Sequence, residues 1–421
     1  MSIAFQGFGL IQKEVDDRSV YMIIVMQLLV MLLREVTFNL PFIDIISYVK
    51  LPFAALVVVV VTPSLLRSWS LSANSQKKFA LICISTLFSC LLSTLLNDVS
   101  ARLAYVLYFV EWTFLVGSSV LIAVKPKYVR LFFVGYLAMI SITVIVGMVE
   151  GVNSLYNYAV VDSLEDGRFK GVGFDPNYFA MSIMIPFAYV LAEGSCWRNS
   201  GKKRFFYLII ASFFVISLMW SRSRSGMMSL ALIVFVVVYV RGVRTSLNMF
   251  MYMLISLVCT VSIIGFNNVQ NIYSDMMMRW VLEYQAGGTG RVDLWVASIN
   301  NIMYKPVWGW GPGSLPFLLS SGIYQGMYGY IKPHNAWIVG AIERGLLGIT
   351  LQISLLLLGM KYSWKLCRTQ DLSLQSLGVA LLAGLAGQGL MTLTLGGMPY
   401  GIFIVSSFSV GLYFYSNKGL N

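Results

Sequence analysis

Two arginines separated by one serine stand in the segment WSRSRSG, between two long apolar runs. Guanidinium groups keep their charge, and each can bind two phosphate oxygens at once. Arg222 and Arg224 therefore predict an anion site where a membrane hairpin turns. The alternative is that both side chains reach to lipid headgroups, as single arginines do at membrane boundaries. Two arginines within one tight turn favour the anion site.

The single histidine of the chain, His334, stands in the segment KPHNAW. We expect the next residue, Asn335, to cap a helix that begins at Ala336. This places the imidazole at the mouth of an apolar helix. An imidazole with an ordinary pKa of about 6.5 accepts a proton at neutral pH, so the position suits a general base. The alternative is a structural histidine whose ring is held by a backbone carbonyl.

A third arginine, Arg291, stands close to Asp293 in TGRVDLW. This spacing fits either a ligand for a diphosphate or a surface ion pair. The ion pair is disfavoured within a helix, where residues two apart do not face each other.

The segment GFDPNYFA resembles the start of a helix. Asp175 and Asn177 are expected to cap it, with Pro176 at its first position, where proline is well tolerated. Contact with a substrate is the second interpretation for both polar residues.

Four charged residues fall within apolar runs, where a charge is costly unless it is satisfied internally or faces a cavity. They are Asp44, Lys50, Glu343 and Arg344. A straight helix would place His334 and Glu343 on opposite faces, so direct contact between them is not expected. Glu343 and Arg344 fit either a structural buried pair or a functional one. Asp44 and Lys50 receive no role.

The composition indicates a membrane protein. Of 421 residues, 58% are hydrophobic and 11% are charged, against about 25% charged residues in a soluble domain. This excludes a soluble globular fold and a disordered chain. The chain has one histidine, which excludes a His-rich metal centre. Its five cysteines form no CxxC pair, so neither a zinc site nor a disulfide framework is indicated.

The apolar runs predict an all-α polytopic membrane protein, since they are too long and too uniform for barrel strands. Twelve spans are expected, at roughly 20–33, 42–62, 79–96, 103–124, 131–149, 177–192, 205–220, 225–240, 247–266, 335–358, 377–395 and 400–415. The connections are short except for one long loop, so we expect a single membrane domain over residues 1–421.

The distribution of basic residues predicts the orientation. With the N-terminus in the cytoplasm, 18 Lys and Arg fall on inner segments and 10 on outer segments, as the positive-inside rule requires. Both termini are then cytoplasmic and the long loop, residues 267–334, is periplasmic. Its tryptophan, glycine and proline content predicts compact turns and amphipathic helices at the membrane interface.

The motifs follow one another in a recognisable order: GRFKGVGFDPNYFA, SRSG, GRVDLW, WGWGPGS and PHNAWIVGAIERGLLG. Over about residues 165–350 this order resembles the O-antigen ligase family of bacterial envelope enzymes, which includes ligases and polymerases. The resemblance implies a C-type, metal-independent glycosyltransferase of the bacterial inner membrane without a cofactor. Such enzymes take a glycan from undecaprenyl diphosphate on the periplasmic side.

The resemblance also implies roles for individual residues. By position in the motifs, His334 corresponds to the histidine of the family's long loop and Arg291 to its arginine. Arg224 corresponds to the arginine after the seventh span, and the doubled SRSRS leaves Arg222 as an alternative. The implied arginines bind the diphosphate, and the histidine is a general base for inverting transfer.

Among family members the sequence favours a ligase, which passes the glycan to a sugar of lipid A–core. Polymerases, which extend lipid-linked repeat units, often carry two comparable loops with an R-x10-G element. This chain has one dominant loop, although Arg279 and Gly290 match that spacing. A transporter of lipid-linked glycans is the alternative from another class. The absence of matching broken helices in the two halves of the sequence argues against it.

Overall fold

The computed structural model describes most of the membrane region and part of the long loop. The described residues are 17–35, 74–97, 118–119, 122–123, 125–155, 164–165, 168–171, 175–196, 199–242, 291–315, 318, 334–392, 400–416 and eight single positions between 251 and 281.

Within these residues the chain forms helices and one short antiparallel hairpin. The first half contains α1 (Asp17–Glu35), α2 (Asn74–Leu95), α3 (Pro126–Leu155), β1 (Leu164–Glu165), β2 (Arg168–Phe169), α4 (Pro176–Gly194), α5 (Gly201–Ser221) and α6 (Arg224–Arg241). The second half contains α7 (Arg291–Tyr304), α8 (Ala336–Cys367), α9 (Leu372–Met391) and α10 (Tyr400–Ser416).

Nine of the twelve expected spans coincide with described helices, and the all-α membrane class is confirmed at that level. Five of the described helices, α3, α5, α6, α8 and α9, are long and apolar enough to cross a membrane. The expected spans 42–62, 103–124 and 247–266 fall mostly outside the described residues. The number of spans therefore stays a prediction.

Side-chain caps fix the start of several helices, because they satisfy amide groups that the first turn leaves without a partner. Asp175 accepts hydrogen bonds from the amides of Asn177 (2.6 Å) and Tyr178 (3.3 Å), with Pro176 at the first helical position. Asn335 accepts from the amides of Trp337 and Ile338. The caps expected at Asp175 and Asn335 are confirmed. The cap expected from Asn177 is wrong, because Asn177 lies within the first turn, where its own amide is the donor.

Helix α9 packs against α4, α6, α8 and α10. It runs antiparallel to α4: Gln388 donates to the carbonyl of Met181 (2.7 Å), and Ser376 donates to the carboxylate of Glu193 (2.9 Å). The bundle thus has two ends. We call them the Arg224 end, where α4, α6 and α8 begin, and the Glu193 end, where α4 finishes.

Aromatic side chains fill the core near α3 and α4. Phe133 stacks on Tyr189 with ring centroids 4.9 Å apart, and Phe132 meets the edge of Phe408 from α10 at 5.0 Å. All four side chains are almost fully buried, and within a membrane such contacts stabilise helix packing through van der Waals attraction. This packing gives the bundle a rigid frame between its two ends.

Basic side chains cap the C-terminus of α4 at the Glu193 end. Arg204 and Arg241 donate to the carbonyls of Gly194 and Ala192, where the helix dipole favours positive charge. Arg130 lies 3.4 Å from the carboxylate of Glu193, which is only 2% exposed. These three arginines belong to segments that the charge count assigns to the cytoplasm.

A second polar contact at this end joins α1 to α3. Lys127 donates to the carboxylate of Asp17 at 2.7 Å, and Tyr128 donates to the same group. The pKa of Asp17 is lowered from 3.8 to about 2. The largest cause is the hydrogen bond from Lys127, and the next is the hydrogen bond from Tyr128. The carboxylate therefore stays ionised and paired at physiological pH.

Candidate functional site

The two adjacent arginines form the tight turn between α5 and α6. Helix α5 ends at Ser221, Arg222 adopts the left-handed conformation with φ 51° and ψ 27°, and α6 begins at Arg224. Between them, the hydroxyl of Ser223 accepts from the amide of Gly226 and caps α6. Both arginines are half-buried. The turn therefore holds two guanidinium groups at one end of the bundle.

The start of α4 fixes the position of this turn. The hydroxyl of Ser223 donates to the side-chain oxygen of Asn177 at 2.8 Å, and Ser223 itself is fully buried. Asp175 anchors the same segment by capping α4. From its sequence position Asn177 was expected to cap the helix or to contact substrate, and the structure shows it hydrogen-bonded to the arginine turn.

A short hairpin covers the turn from the other side. Arg168 donates from Nε to the carbonyl of Ser221 at 3.1 Å. Phe169 stacks on Trp220 with centroids 4.9 Å apart and meets the edge of Phe179 at the same distance. Arg168 was not predicted as a site residue, although it stands in the motif GRFKG. The arginine next to an aromatic residue in that motif was the signal that could have indicated it.

His334 lies directly before the cap of α8 and adopts φ 45°. The next helical residue, Ala336, donates its amide to the carbonyl of Thr392 at 2.8 Å. This bond joins the start of α8 to the end of α9. The position at a helix mouth, expected from the sequence, is confirmed.

The end of α9 also lies beside the start of α6. Gly387 packs against Ile233 and the carbonyl of Ser229, while Gln375 near the other end of α9 accepts from Arg241 at the end of α6. The two helices are therefore antiparallel. It follows that the helix starts after Arg222 and after His334 lie at the same Arg224 end.

Arg222 and His334 share an unusual backbone conformation. Among the described residues they are the two non-glycine positions with φ between +20° and +160°. The left-handed region costs an L-residue roughly 1–2 kcal/mol, and such strain is concentrated at functional sites. The two strained positions are thus residues that the sequence predicts to belong to the site.

The segment that carries Arg291 packs on the first turns of α8. Leu315 and Leu318 form a small core with Ile342, against which parts of α7 also lie. Arg291 and Asp293 belong to the first turn of α7, and their side chains fall outside the described structure. The structure thus brings the helix of Arg291 to the helix that follows His334.

A kink in α8 receives the loop after α7. Gly345 has φ 67° and ψ −175°, which interrupts the helix. The amide of Leu346 donates to the carbonyl of Pro306 (2.7 Å), and the amides of Trp310 and Gly311 donate to carbonyls of the turn before Gly345 (2.8 Å each). We call residues 305–311 and the kink together the loop clamp.

Close backbone contact requires glycine in the loop clamp. A Cβ on Gly345 would lie 2.1 Å from the carbonyl oxygen of Val307, and one on Gly309 would lie 2.5 Å from the amide of Gly345. Just after α2, Asn97 donates to the carbonyl of Gly309 at 3.0 Å. Lys305 lies over the ring of Trp310, with Nζ 4.3 Å from its centroid.

The charged residues within the apolar runs lie in different surroundings. The carbonyl of Glu343 accepts from the loop clamp and from Ser93 of α2 (3.0 Å). Arg344 is 2% exposed. Asp44 and Lys50 lie outside the described residues.

The comparisons with known proteins point to one family. Residues 207–353 match the family model described as O-antigen ligase. This range contains the arginine turn, the described part of the long loop, His334 and the loop clamp. No curated protein matches the chain. Over residues 207–353 the match confirms the resemblance predicted from the motifs.

Proposed function

We propose that the protein is an O-antigen ligase. It transfers a glycan from undecaprenyl diphosphate to a sugar of lipid A–core at the periplasmic face of the inner membrane. The family match supports processing of lipid-linked glycans in general. The observation that carries the proposal is that Arg222 and His334, both in strained left-handed conformations, belong to helix ends gathered at the Arg224 end.

In the proposed reaction an acceptor hydroxyl attacks the anomeric carbon of the glycan. His334 takes the hydroxyl proton as general base, a role that suits a histidine near neutral pH. The bond between the anomeric carbon and the diphosphate oxygen breaks, and undecaprenyl diphosphate leaves with the electron pair. One displacement inverts the anomeric configuration, so no covalent sugar–enzyme intermediate is needed.

The arginines stabilise the leaving group. Arg222 and Arg224 project from a turn held by Ser223 and Asn177, and Arg291 begins a helix packed on α8. Fixed guanidinium groups stabilise the charge that grows on the diphosphate. The proposed site therefore requires neither a metal nor a cofactor.

The distribution of charge supports an outward-facing site. Arg130, Arg204 and Arg241 lie at the Glu193 end, together with the exposed Lys202 and Lys203. Basic segments remain in the cytoplasm, so the proposed orientation exposes the Arg224 end to the periplasm. Residues 267–334 then form the periplasmic loop of a single membrane domain.

Reconstitution tests this proposal. Purified protein receives an undecaprenyl-diphosphate glycan and lipid A–core in the presence of a chelator of divalent metals. We expect lipopolysaccharide of higher mass. A ladder of longer lipid-linked glycans would instead identify a polymerase. No product, combined with movement of the lipid-linked glycan across a vesicle membrane, would identify a transporter.

A further inference from the structure

One face of α7 exposes apolar side chains. The exposed positions are Val296, Ile299, Asn300, Met303 and Tyr304, spaced as neighbours on one side of a helix. The four apolar or aromatic residues of this set are each more than half exposed, from 53% for Ile299 to 76% for Tyr304. A helix on the surface of a soluble protein would present polar residues here.

The opposite face of α7 is more polar and is buried. Ser298 is fully buried and donates to the carbonyl of Leu294. Asn301 is 4% exposed and donates to the carbonyl of Ala297 at 2.9 Å. The carbonyl of Asn301 in turn accepts from the indole of Trp310. Helix α7 therefore turns Ser298 and Asn301, together with the buried Leu294, towards the protein, while its exposed face is mainly apolar.

The exposed apolar face continues onto the membrane-spanning helices. Val307 and Trp308 follow α7 with exposures of 50% and 37%. The loop clamp joins this segment to α8, where Leu346 is 53% exposed. At the end of α2, Leu95 and the next residue, Leu96, are 61% and 59% exposed, directly before the contact of Asn97 with the clamp.

We propose that α7 is an interfacial helix whose apolar face lies in the lipid of the leaflet at the Arg224 end. The apolar stripe is Val296, Ile299, Met303, Tyr304, Val307 and Trp308. Phospholipid acyl chains are its occupant, because the stripe is continuous with apolar residues exposed on α2 and α8. Tyr304 and Trp308 lie at the lipid–water boundary, where aromatic side chains with a polar tip are favoured.

This arrangement holds α7 between two supports. The loop clamp fixes its C-terminal end to α8, and the lipid holds its exposed face in the membrane surface. The next step rests on the proposed function. Arg291 begins α7, so the lipid also sets the depth of Arg291 in the membrane. That depth matches the depth of the diphosphate of a lipid-anchored donor.

Fluorescent labels with lipid-borne quenchers test the inference in the full chain. Single cysteines replace Val296, Ile299 or Met303 in a variant whose five native cysteines are alanine and which keeps the thermal unfolding midpoint of the wild type. Each protein is labelled and placed in phospholipid nanodiscs. Met228, exposed on α6, serves as the lipid control, and Lys202 at the Glu193 end serves as the water control.

We expect labels on the stripe to be quenched by doxyl groups on acyl chains, as at position 228, and to be protected from a water-soluble quencher. The label at position 202 should show the opposite pattern. Strong quenching from water at all three stripe positions would overturn the inference. Protection from both quenchers, together with cross-linking between two copies, would also overturn it by identifying a protein interface.

A pair of variants measures the contribution of lipid contact. Ile299→Lys places a charge in the stripe and should weaken quenching by lipid at position 303, whereas Ile299→Leu should leave it unchanged. Unchanged quenching in Ile299→Lys would contradict the inference. The quenching experiment needs no substrate. A failure of this inference can therefore be distinguished from a failure of the proposed ligase reaction.

Discussion

The hydroxyl of Ser223 donates a hydrogen bond of 2.8 Å to the side-chain oxygen of Asn177. The bond joins the turn that carries Arg222 and Arg224 to the first turn of α4. Since Ser223 also caps α6, one buried hydroxyl fixes both the start of a helix and the arginines on either side of it. Arginine position thus depends on a residue that carries no charge.

Asn177→Ala should weaken binding of the diphosphate donor. It removes the acceptor for Ser223, and a buried hydrogen bond contributes about 0.5–1.5 kcal/mol net. If that free energy positions the arginines, the apparent KM for the donor should rise by about 2- to 10-fold. Steady-state kinetics with varied donor and saturating acceptor measure this change.

Asn199→Ala is the matched control for this experiment. Asn199 donates to the carbonyl and the carboxylate of Glu193 at the opposite end of the bundle. Its loss should lower the thermal unfolding midpoint without changing the KM for the donor. Equal effects of the two variants on KM would show that Asn177 contributes only to general stability.

Arg222→Gly should separate stability from activity. Glycine adopts φ 51° without the steric cost that arginine incurs, so the thermal unfolding midpoint should stay equal or rise. Donor binding should nevertheless decrease, because the guanidinium group is lost. Arg222→Lys keeps the charge but not the planar fork and should also bind the donor less tightly. Wild-type donor binding by both variants would assign Arg222 to lipid anchoring.

Local sequence signals predicted where helices start but did not predict the loop clamp. Asp175 and Asn335 were predictable because capping depends on residues two or three positions away. The kink at Gly345 depends on hydrogen bonds with Pro306 and Gly311, more than thirty residues earlier in the chain. The contact of Asn177 with Ser223 is equally remote in sequence, so neither relationship has a local signature.

Gly345→Ala should disrupt the loop clamp. Its methyl group would meet the carbonyl oxygen of Val307 at 2.1 Å, and φ 67° disfavours alanine. We expect a lower thermal unfolding midpoint and loss of most transfer activity. In the control Gly389→Ala on α9, the nearest atom lies 3.9 Å from the new methyl group. This variant should be neutral or more stable by up to about 1 kcal/mol, and equal loss in both variants would contradict the clamp.

The proposed orientation places the long loop outside the cytoplasm. A cysteine at Gln325, within residues 267–334, should react with an impermeant maleimide in intact spheroplasts. A cysteine at Lys202, at the Glu193 end, should react only after lysis. The reverse pattern would invert the proposed topology and place the arginine turn in the cytoplasm.

The most direct test of the proposed mechanism is transfer by His334→Ala in the reconstituted reaction. A positioned general base accelerates a reaction by about 10²–10⁴-fold. We expect a loss of transfer of that size with wild-type donor binding, because the arginines still hold the diphosphate. We also expect loss of the acid limb of the pH–rate profile, which protonation of the imidazole produces in the wild type. Normal transfer by the variant, or loss of donor binding in proportion to loss of transfer, would contradict the assignment of His334 as general base.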